Sequence, residues 1–163
     1  MRIYYGENQQ FQTLEYDINK LNTLVANIQN GQFDVITREK QVEYRTFTAQ
    51  GIIDPSLGLA VGASGMPVSL TSNLMDIYQW EIDFARDLKK GDRFSVVYQK
   101  AFIGDEYIAN GEILGASFTT GSRTIDAIRY TDSNGVTAYF QPNGDSLKRG
   151  FLRSPVKTAR ITS

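Results

Sequence analysis

Asn-Gly dipeptides placed between alternating apolar and polar runs constrain this chain most strongly. Runs beside them, such as Q-F-D-V-I-T and V-T-A-Y-F, are rich in β-branched and aromatic residues. Asn-Gly favours the type I′ turn of a tight hairpin, because both central residues of that turn need positive φ. Short strands separated by such turns predict an antiparallel meander or a small barrel-like sheet. The dipeptides are Asn30-Gly31, Asn110-Gly111, Asn134-Gly135 and Asn143-Gly144.

One part of the chain lacks the alternation of apolar and polar residues that is typical of strands. The run Asp54-Pro55-Ser56 is typical of a helix start, with Asp54 as the N-cap and Pro55 at the first helical position. Gly65-Met66-Pro67 ends that helix, and a second helix is predicted from Val68 to Trp80, where apolar residues recur three and four apart. The predicted class is therefore α+β: mainly antiparallel strands with one inserted αα-hairpin.

The sequence offers no clear boundary between domains. The chain has 163 residues, enough for one good-sized domain or two small ones. Residues 1–50 are strand-rich and are predicted to join the same sheet as the rest. Residues 51–163 are predicted to form a domain with the helix pair first and antiparallel strands after it.

Two absences exclude most catalytic chemistry. The sequence contains no histidine and no cysteine, which removes histidine-based triads, thiol nucleophiles and zinc sites built on either residue. Its 17 basic and 18 acidic residues give no reason to expect nucleic acid as a partner. The longest apolar stretch, near Ile52 to Val61, is broken by polar residues and is too short to span a bilayer. The N-terminus has no apolar signal-peptide core.

Charged side chains cluster between Tyr78 and Phe94, around the only tryptophan. Paired carboxylates here could perform acid–base chemistry, but these have basic neighbours or follow a turn glycine, so structural or solvated roles are favoured. We expect the apolar residues Trp80, Ile82 and Phe84 to supply core. No catalytic or metal-binding residue is assigned. The structural or interface candidates are Trp80, Asp83, Arg86, Asp87 and Asp92, with Arg153 from a basic C-terminal stretch that is expected to be solvated.

The run W-E-I-D-F-A-R-D-L-K-K-G-D-R-F-S-V-V-Y, from Trp80 to Tyr98, closely resembles a segment of bacterial peptidoglycan endopeptidases of the lysostaphin/LytM type. In that family the segment has a form like W-D-I-D-F-x-R-D-L-R-x-G-D-x-F-x-V-x-Y. It lies in the non-catalytic region just upstream of the zinc domain. Glu81 stands where the family usually has Asp, and Lys89 where it usually has Arg.

Further short blocks resemble the same family in the same order. Gly65-Met66-Pro67 is similar to its A-G-L-P break, and G-E-I-L-G-A-S-F is similar to its G-x-I-L-A-A-x-F, with Gly115 departing. The blocks A-I-R-Y, G-D-S-L-K-R-G-F-L-R-S-P-V (Gly144 to Val156) and the final T-A-R-I-T-S complete the series. The resemblance covers roughly Gly51 to Ser163.

The resemblance implies a role without catalysis for this chain. In the family, zinc is held by motifs of the H-x-x-x-D and H-x-H kind, and this sequence has no histidine. We therefore expect an accessory module that positions or gates a catalytic zinc domain outside this chain. The expected partners are that domain and, further, peptidoglycan or a regulatory protein. Zinc is expected only in the catalytic domain, and the expected location is the periplasm or cell envelope.

Two other functions compete with this one. The chain could be a stand-alone module that binds peptidoglycan or a partner protein, which retention on purified sacculi would reveal. A hydrolase that uses Asp83 or Asp87 is the weaker alternative, because it requires muropeptide release by the chain alone.

The pair Asp83 and Arg86 is predicted to form an internal ion pair that fixes the joint between the second helix and the next strand. Asp83→Ala should then lower the melting temperature, measured by circular dichroism, because one partner of the pair is lost. An unchanged melting temperature would refute this assignment.

Overall fold

The computed structural model describes residues 1–29 and 31–147, and the following elements belong to those ranges. Nine strands and two helices are present. The first four strands are β1 (Arg2–Tyr5), β2 (Phe11–Asp17), β3 (Asn22–Gln29) and β4 (Gln32–Glu39). They are followed by β5 (Glu43–Ile52), α1 (Leu57–Ala63), α2 (Leu70–Tyr78), β6 (Arg93–Ile103), β7 (Glu106–Thr120), β8 (Arg123–Thr131) and β9 (Thr137–Phe140).

The strands form two sheets, each in chain order. One sheet has the order β1-β2-β3-β4 and the other β5-β6-β7-β8-β9, and neither closes into a barrel within the described residues. The predicted α+β class with antiparallel strands is confirmed, and the barrel-like form is wrong. The prediction that residues 1–50 join the sheet of the rest is also wrong for β1 to β4, which form their own sheet. Alternation identifies a strand and its buried face but not its neighbours.

Two compact units interleave along the chain. Unit 1 contains residues 1–47 and 98–112, and unit 2 contains residues 48–97 and the described residues from 113. The strands β5, β6 and β7 each have residues in both units. Residues 98–112, which were predicted to belong to the second domain, form part of unit 1 together with residues 1–47. The boundary after residue 50 stays a prediction.

In unit 1, the two faces of the four-stranded sheet differ: one carries an apolar row, and the other carries charged residues beside the buried Val25. Residues directly opposite one another share a face, and the register places Ile3, Leu14, Ala26 and Val35 in one apolar row. The other face carries Glu15, which pairs with Arg2 at 3.3 Å and with Arg38 at 3.1 Å. At the same sheet, hydrogen bonds from Lys40 and then Thr23 lower the pKa of Asp17 to about 2.

Gly111 lies inside β7, so the predicted turn at Asn110-Gly111 is wrong. A Cβ atom on Gly111 would stand 2.7 Å from the Gln99 Cβ atom and 3.2 Å from a Tyr44 ring carbon. The absence of a side chain at Gly111 allows the neighbouring strand and the Tyr44 ring to approach closely. A close approach of this kind is a common reason for glycine inside a strand. The hairpin predicted at Asn30-Gly31 falls partly on Asn30, outside the described residues, although β3 and β4 do pair as far as Gln29 and Gln32.

The helices of unit 2 occupy the predicted region with shorter bounds. The N-cap of α1 is Ser56 and not Asp54, because the Ser56 hydroxyl oxygen accepts a hydrogen bond from the Leu59 N–H at 3.3 Å. The α2 helix ends at Tyr78, two residues before the predicted end. Its apolar stripe is buried and comprises Leu70, Leu74, Ile77 and Tyr78. No helix in residues 1–29 and 31–147 is long and apolar enough to cross a membrane.

The sheet residues of unit 2 alternate between core and surface. In β6, Phe94 and Val96 are buried, whereas Arg93, Ser95 and Val97 are exposed. This is the pattern of a strand with one face on a core. The largest fully buried side chains of this unit include Tyr78, Phe118, Ile53, Leu74, Ile113, Ile125 and Leu147.

Gly111→Ala should destabilise the protein by about 1–3 kcal/mol, because the added methyl group would overlap Gln99. Urea unfolding followed by circular dichroism measures the change in the free energy of unfolding. The matched control is Gly58→Ala in α1, where nothing lies within 4 Å of the new Cβ atom. That change should stabilise by up to about 1 kcal/mol, since alanine favours a helix over glycine. Equal effects of the two substitutions would contradict the packing role of Gly111.

Candidate functional site

The end of α2 is fixed in the core by Tyr78. Its side chain is fully buried, its hydroxyl donates a hydrogen bond to the Ile125 carbonyl oxygen at 3.2 Å, and its ring lies 5.7 Å from the ring of Phe118. Burial, followed by the negative charge of Asp126, raises the pKa of the Tyr78 phenol far above its ordinary value. Tyr78 therefore joins the helix to β8 as a neutral hydrogen-bond donor.

The apolar residues that follow Tyr78 divide between core and surface. Ile82 is buried, and Phe84 is half-buried with its ring edge against Phe118 at 5.8 Å. Trp80 is 41% exposed, so the prediction that it supplies core is wrong. The α2 helix ends at Tyr78, and Trp80 lies in the turn that follows it. Its position is also off the buried stripe at about 100° per residue, so its apolar character alone did not place it in the core.

The carboxylates of Asp83 and Asp87 each accept a backbone hydrogen bond within one short turn. The Asp83 carboxylate accepts from the Ala85 N–H at 3.0 Å, and the Asp87 carboxylate accepts from the Asp83 N–H at 3.0 Å. Arg86 approaches Asp83 at 3.7 Å, but its side chain is 86% exposed, so the predicted internal ion pair is a surface pair. Such pairs contribute little to stability. Any loss of stability in Asp83→Ala should therefore come from the lost hydrogen bond to the Ala85 N–H and not from the ion pair.

Glu81 and Arg123 form the ion pair that sequence reasoning missed. The Arg123 guanidinium donates to the Glu81 carboxylate and, at 3.4 Å, to the Glu81 carbonyl oxygen. The Glu81 side chain is only 13% exposed. The two residues are 42 positions apart, so no local spacing could have indicated the pair.

Asp92 is the buried carboxylate of this region, at 5% exposure. Its side chain accepts from the Lys89 N–H at 2.8 Å and from the Gly121 N–H at 3.3 Å. Its carbonyl oxygen accepts from the Ile53 N–H at 2.8 Å. Asp92 thus connects its own turn, the end of β5 and the turn between β7 and β8. A carboxylate that accepts backbone hydrogen bonds in this way has a structural role.

The predicted candidates do not converge on one centre. Asp83, Arg86 and Asp87 share one exposed turn, Asp92 lies in the next turn, and Arg153 lies outside the described residues. Within residues 1–29 and 31–147, no three acidic side chains are grouped closely enough to hold a metal ion. The predicted carboxylates Asp83, Asp87 and Asp92 each accept a backbone hydrogen bond, which is consistent with a structural role for all three.

An open cleft of about 710 Å³ lies on the sheet of unit 2. The cleft lies over β5, β6, β7 and β8. Each strand contributes one buried residue, namely Ala49, Val96, Ala116 or Ala127, so the residues beside it in sequence face the cleft. Those neighbours include Gln50, Ser95, Val97, Ser117, Asp126 and Ile128. Its size falls in the range of small-ligand sites. Sequence reasoning proposed none of these residues as a site candidate, because each one resembles an ordinary surface position of an alternating strand.

Comparison with known families identifies the domain to which most of this chain corresponds. The model of the Csd3 second domain matches residues 41–163.

Curated relatives match over the whole chain. Peptidoglycan DD-endopeptidase ShyC of Vibrio cholerae serotype O1 is 28% identical over 163 residues, and ShyA of the same organism is 26% identical over 165 residues. Each alignment covers all of this chain but only 37% of the relative. The chain thus spans little more than a third of the length of these relatives.

Solved structures agree on the fold. A zinc-containing peptidase from Vibrio cholerae superposes with a TM-score of 0.60 and 26% identity, over 99% of this chain and 49% of that one. Csd3 of Helicobacter pylori superposes with a TM-score of 0.59 over 86% of this chain and 38% of its own. At 17% identity, the second likeness concerns the fold alone.

Asp92→Ala should destabilise the protein by roughly 2–4 kcal/mol, because two backbone N–H groups would lose a charged acceptor in a buried place. Urea unfolding measures the change. The matched control is Asp87→Ala, which removes a carboxylate from an exposed turn with one backbone partner and should cost about 1 kcal/mol. A loss at Asp92 no larger than at Asp87 would contradict the connecting role.

Proposed function

Because this chain belongs to the family of the Csd3 second domain, we propose that it is a non-catalytic accessory module of a bacterial peptidoglycan zinc endopeptidase. The observation that carries the proposal is the match over residues 41–163, together with curated relatives that are peptidoglycan DD-endopeptidases more than twice as long as the chain. In this proposal, the catalytic domain of the same polypeptide is the covalent partner, and the protein works in the periplasm or cell envelope.

The residues of this chain do not fit a zinc site. Zinc in proteins takes histidine, cysteine and carboxylate ligands, and the sequence provides neither histidine nor cysteine. The described carboxylates are not grouped for a metal. In this proposal the catalytic domain binds the zinc, and this module takes no part in the zinc chemistry.

The proposed task of the module is to position or gate the catalytic domain. Such a task requires a scaffold that keeps its shape, because a displacement of about 1 Å at a catalytic group is costly. Unit 2 has suitable internal connections: Tyr78 hydrogen-bonds to Ile125, and Asp92 connects three chain segments. The helices α1 and α2 add a second layer to this scaffold, and we propose that they pack as an αα-hairpin.

A stand-alone binding module is the second candidate function. The open cleft of unit 2 favours it, since a pocket with convergent polar groups is the usual form of a ligand site. Its ligand would be peptidoglycan or a partner protein. The two functions are compatible if the accessory module also contacts the wall.

The test compares this chain with the complete polypeptide of its gene on purified sacculi. The complete polypeptide should release soluble muropeptides in the presence of zinc, and this chain alone should release none with or without zinc, because it lacks the ligands. Reversed-phase chromatography of the supernatant measures release. Release by this chain alone would overturn the non-catalytic assignment.

A second readout separates the two functions. Retention of this chain on sacculi, above that of an unrelated acidic protein of the same size, would favour direct binding. Its absence would favour a purely positioning or gating role. A complete gene product that lacks zinc-ligand motifs would contradict the accessory proposal itself.

A further inference from the structure

Asp126 lies in the middle of the cleft of unit 2, on β8. It stands opposite Ser117 of β7 in the strand register. Its neighbours Ile125 and Ala127 are buried in the core, so its own side chain is directed to the other face, where the cleft is. The carboxylate is half-buried. It is the single charged side chain among the described residues that line the cleft.

Asp126 differs from the other partly or fully buried carboxylates in its lack of a partner. Glu15, Glu81 and Asp92 are each held by a guanidinium group or by backbone N–H groups. For Asp126, no hydrogen bond or ion pair is found within the described ranges, 1–29 and 31–147. Its negative charge nevertheless acts on a neighbour, because it contributes to the raised pKa of Tyr78.

An unpaired, half-buried carboxylate favours a cation. Burial removes part of the water that solvates the charge, and an opposite charge within about 4–6 Å restores the stabilisation. Charge-assisted hydrogen bonds between an ammonium group and a carboxylate are among the stronger polar contacts. The structure offers such a ligand room, since the cleft is open and its central side chains are small.

The rest of the lining suits a peptide. Ser95 and Ser117 can each donate and accept a hydrogen bond, and Gln50 offers an amide. Val97 and Ile128 are exposed apolar side chains beside them. Small hydroxyls, an amide, two apolar contacts and one carboxylate complement peptide groups, short aliphatic side chains and one ammonium group.

We propose that this cleft binds a short cell-wall peptide through a primary ammonium group of the peptide, which pairs with Asp126. The choice of a cell-wall peptide rests on the proposed function, in which the parent enzyme acts on peptidoglycan. The site would let the accessory module hold the substrate of the catalytic domain.

The test uses this chain and a synthetic tetrapeptide, acetyl-Ala-Lys-D-Ala-D-Ala, with a free lysine amine. Binding is measured by titration calorimetry and by the shifts of backbone amide signals in NMR spectra. The same tetrapeptide with an acetylated lysine amine is the ligand control. We expect the free amine to shift amides of β7 and β8 and to bind about tenfold or more tightly than the acetylated form, as for a charged hydrogen bond.

Asp126→Asn should abolish that preference, because it keeps the shape of the side chain and removes its charge. The matched control is Asp34→Asn, an exposed carboxylate on β4 in unit 1, which should leave binding unchanged. Ser95→Leu, which fills the cleft and keeps Asp126, should weaken both forms of the peptide. Circular dichroism verifies that each variant is folded.

Three outcomes would overturn the inference: no binding of either peptide, equal binding of both, or equal loss in Asp126→Asn and Asp34→Asn. None of these outcomes affects the proposed accessory function, which is decided by muropeptide release from the complete polypeptide. Retention on sacculi that persists in Asp126→Asn would place wall binding elsewhere on the chain.

Discussion

The buried carboxylate of Asp92 is the interaction on which the rest of unit 2 depends. It accepts hydrogen bonds from Lys89 in its own turn and from Gly121 in the turn between β7 and β8, while its backbone pairs with Ile53 at the end of β5. A charged acceptor with two backbone donors is satisfied without a cation, which makes burial at 5% exposure acceptable. The loop that carries the charged stretch is thereby fixed to the core, while Asp83, Arg86 and Asp87 remain exposed to solvent.

Local patterns in the sequence predict the elements well and their partners poorly. The runs Q-F-D-V-I-T and V-T-A-Y-F predicted strands that the structure contains as β4 and β9, because β-branched and aromatic residues favour strands. The prediction of a turn at Asn110-Gly111 was wrong because glycine is used both in turns and where two chain segments approach closely within a sheet. The neighbours that decide between these roles, Gln99 and Tyr44, come from other strands. The separation of β1 to β4 into their own sheet is likewise a property of pairing, which alternation does not specify.

The same limit applies to the charged residues. Sequence spacing paired Asp83 with Arg86, which do approach each other at 3.7 Å because they lie within one short segment, although the pair is on the surface and not internal. It could not find the pair of Glu81 with Arg123, whose members meet only when β8 is in place. It also gave Trp80 to the core because the side chain is large and apolar, whereas the residue is 41% exposed in the turn after α2. The sequence did not indicate Asp126 as a site residue, since a single acidic residue in an alternating strand resembles any surface position.

The distribution of carboxylates separates stability from binding in this module. Asp92, Asp87 and Glu81 already bond to backbone groups or to Arg123, so a ligand that recruited them would have to replace contacts within the fold. Asp126 contributes no such contact within the described residues, and its isosteric neutralisation removes no hydrogen bond that holds the sheet. A carboxylate that the fold does not need is free to serve a ligand. The role that we propose for the cleft is therefore recognition of a cation-bearing peptide through a carboxylate that the described part of the fold does not use.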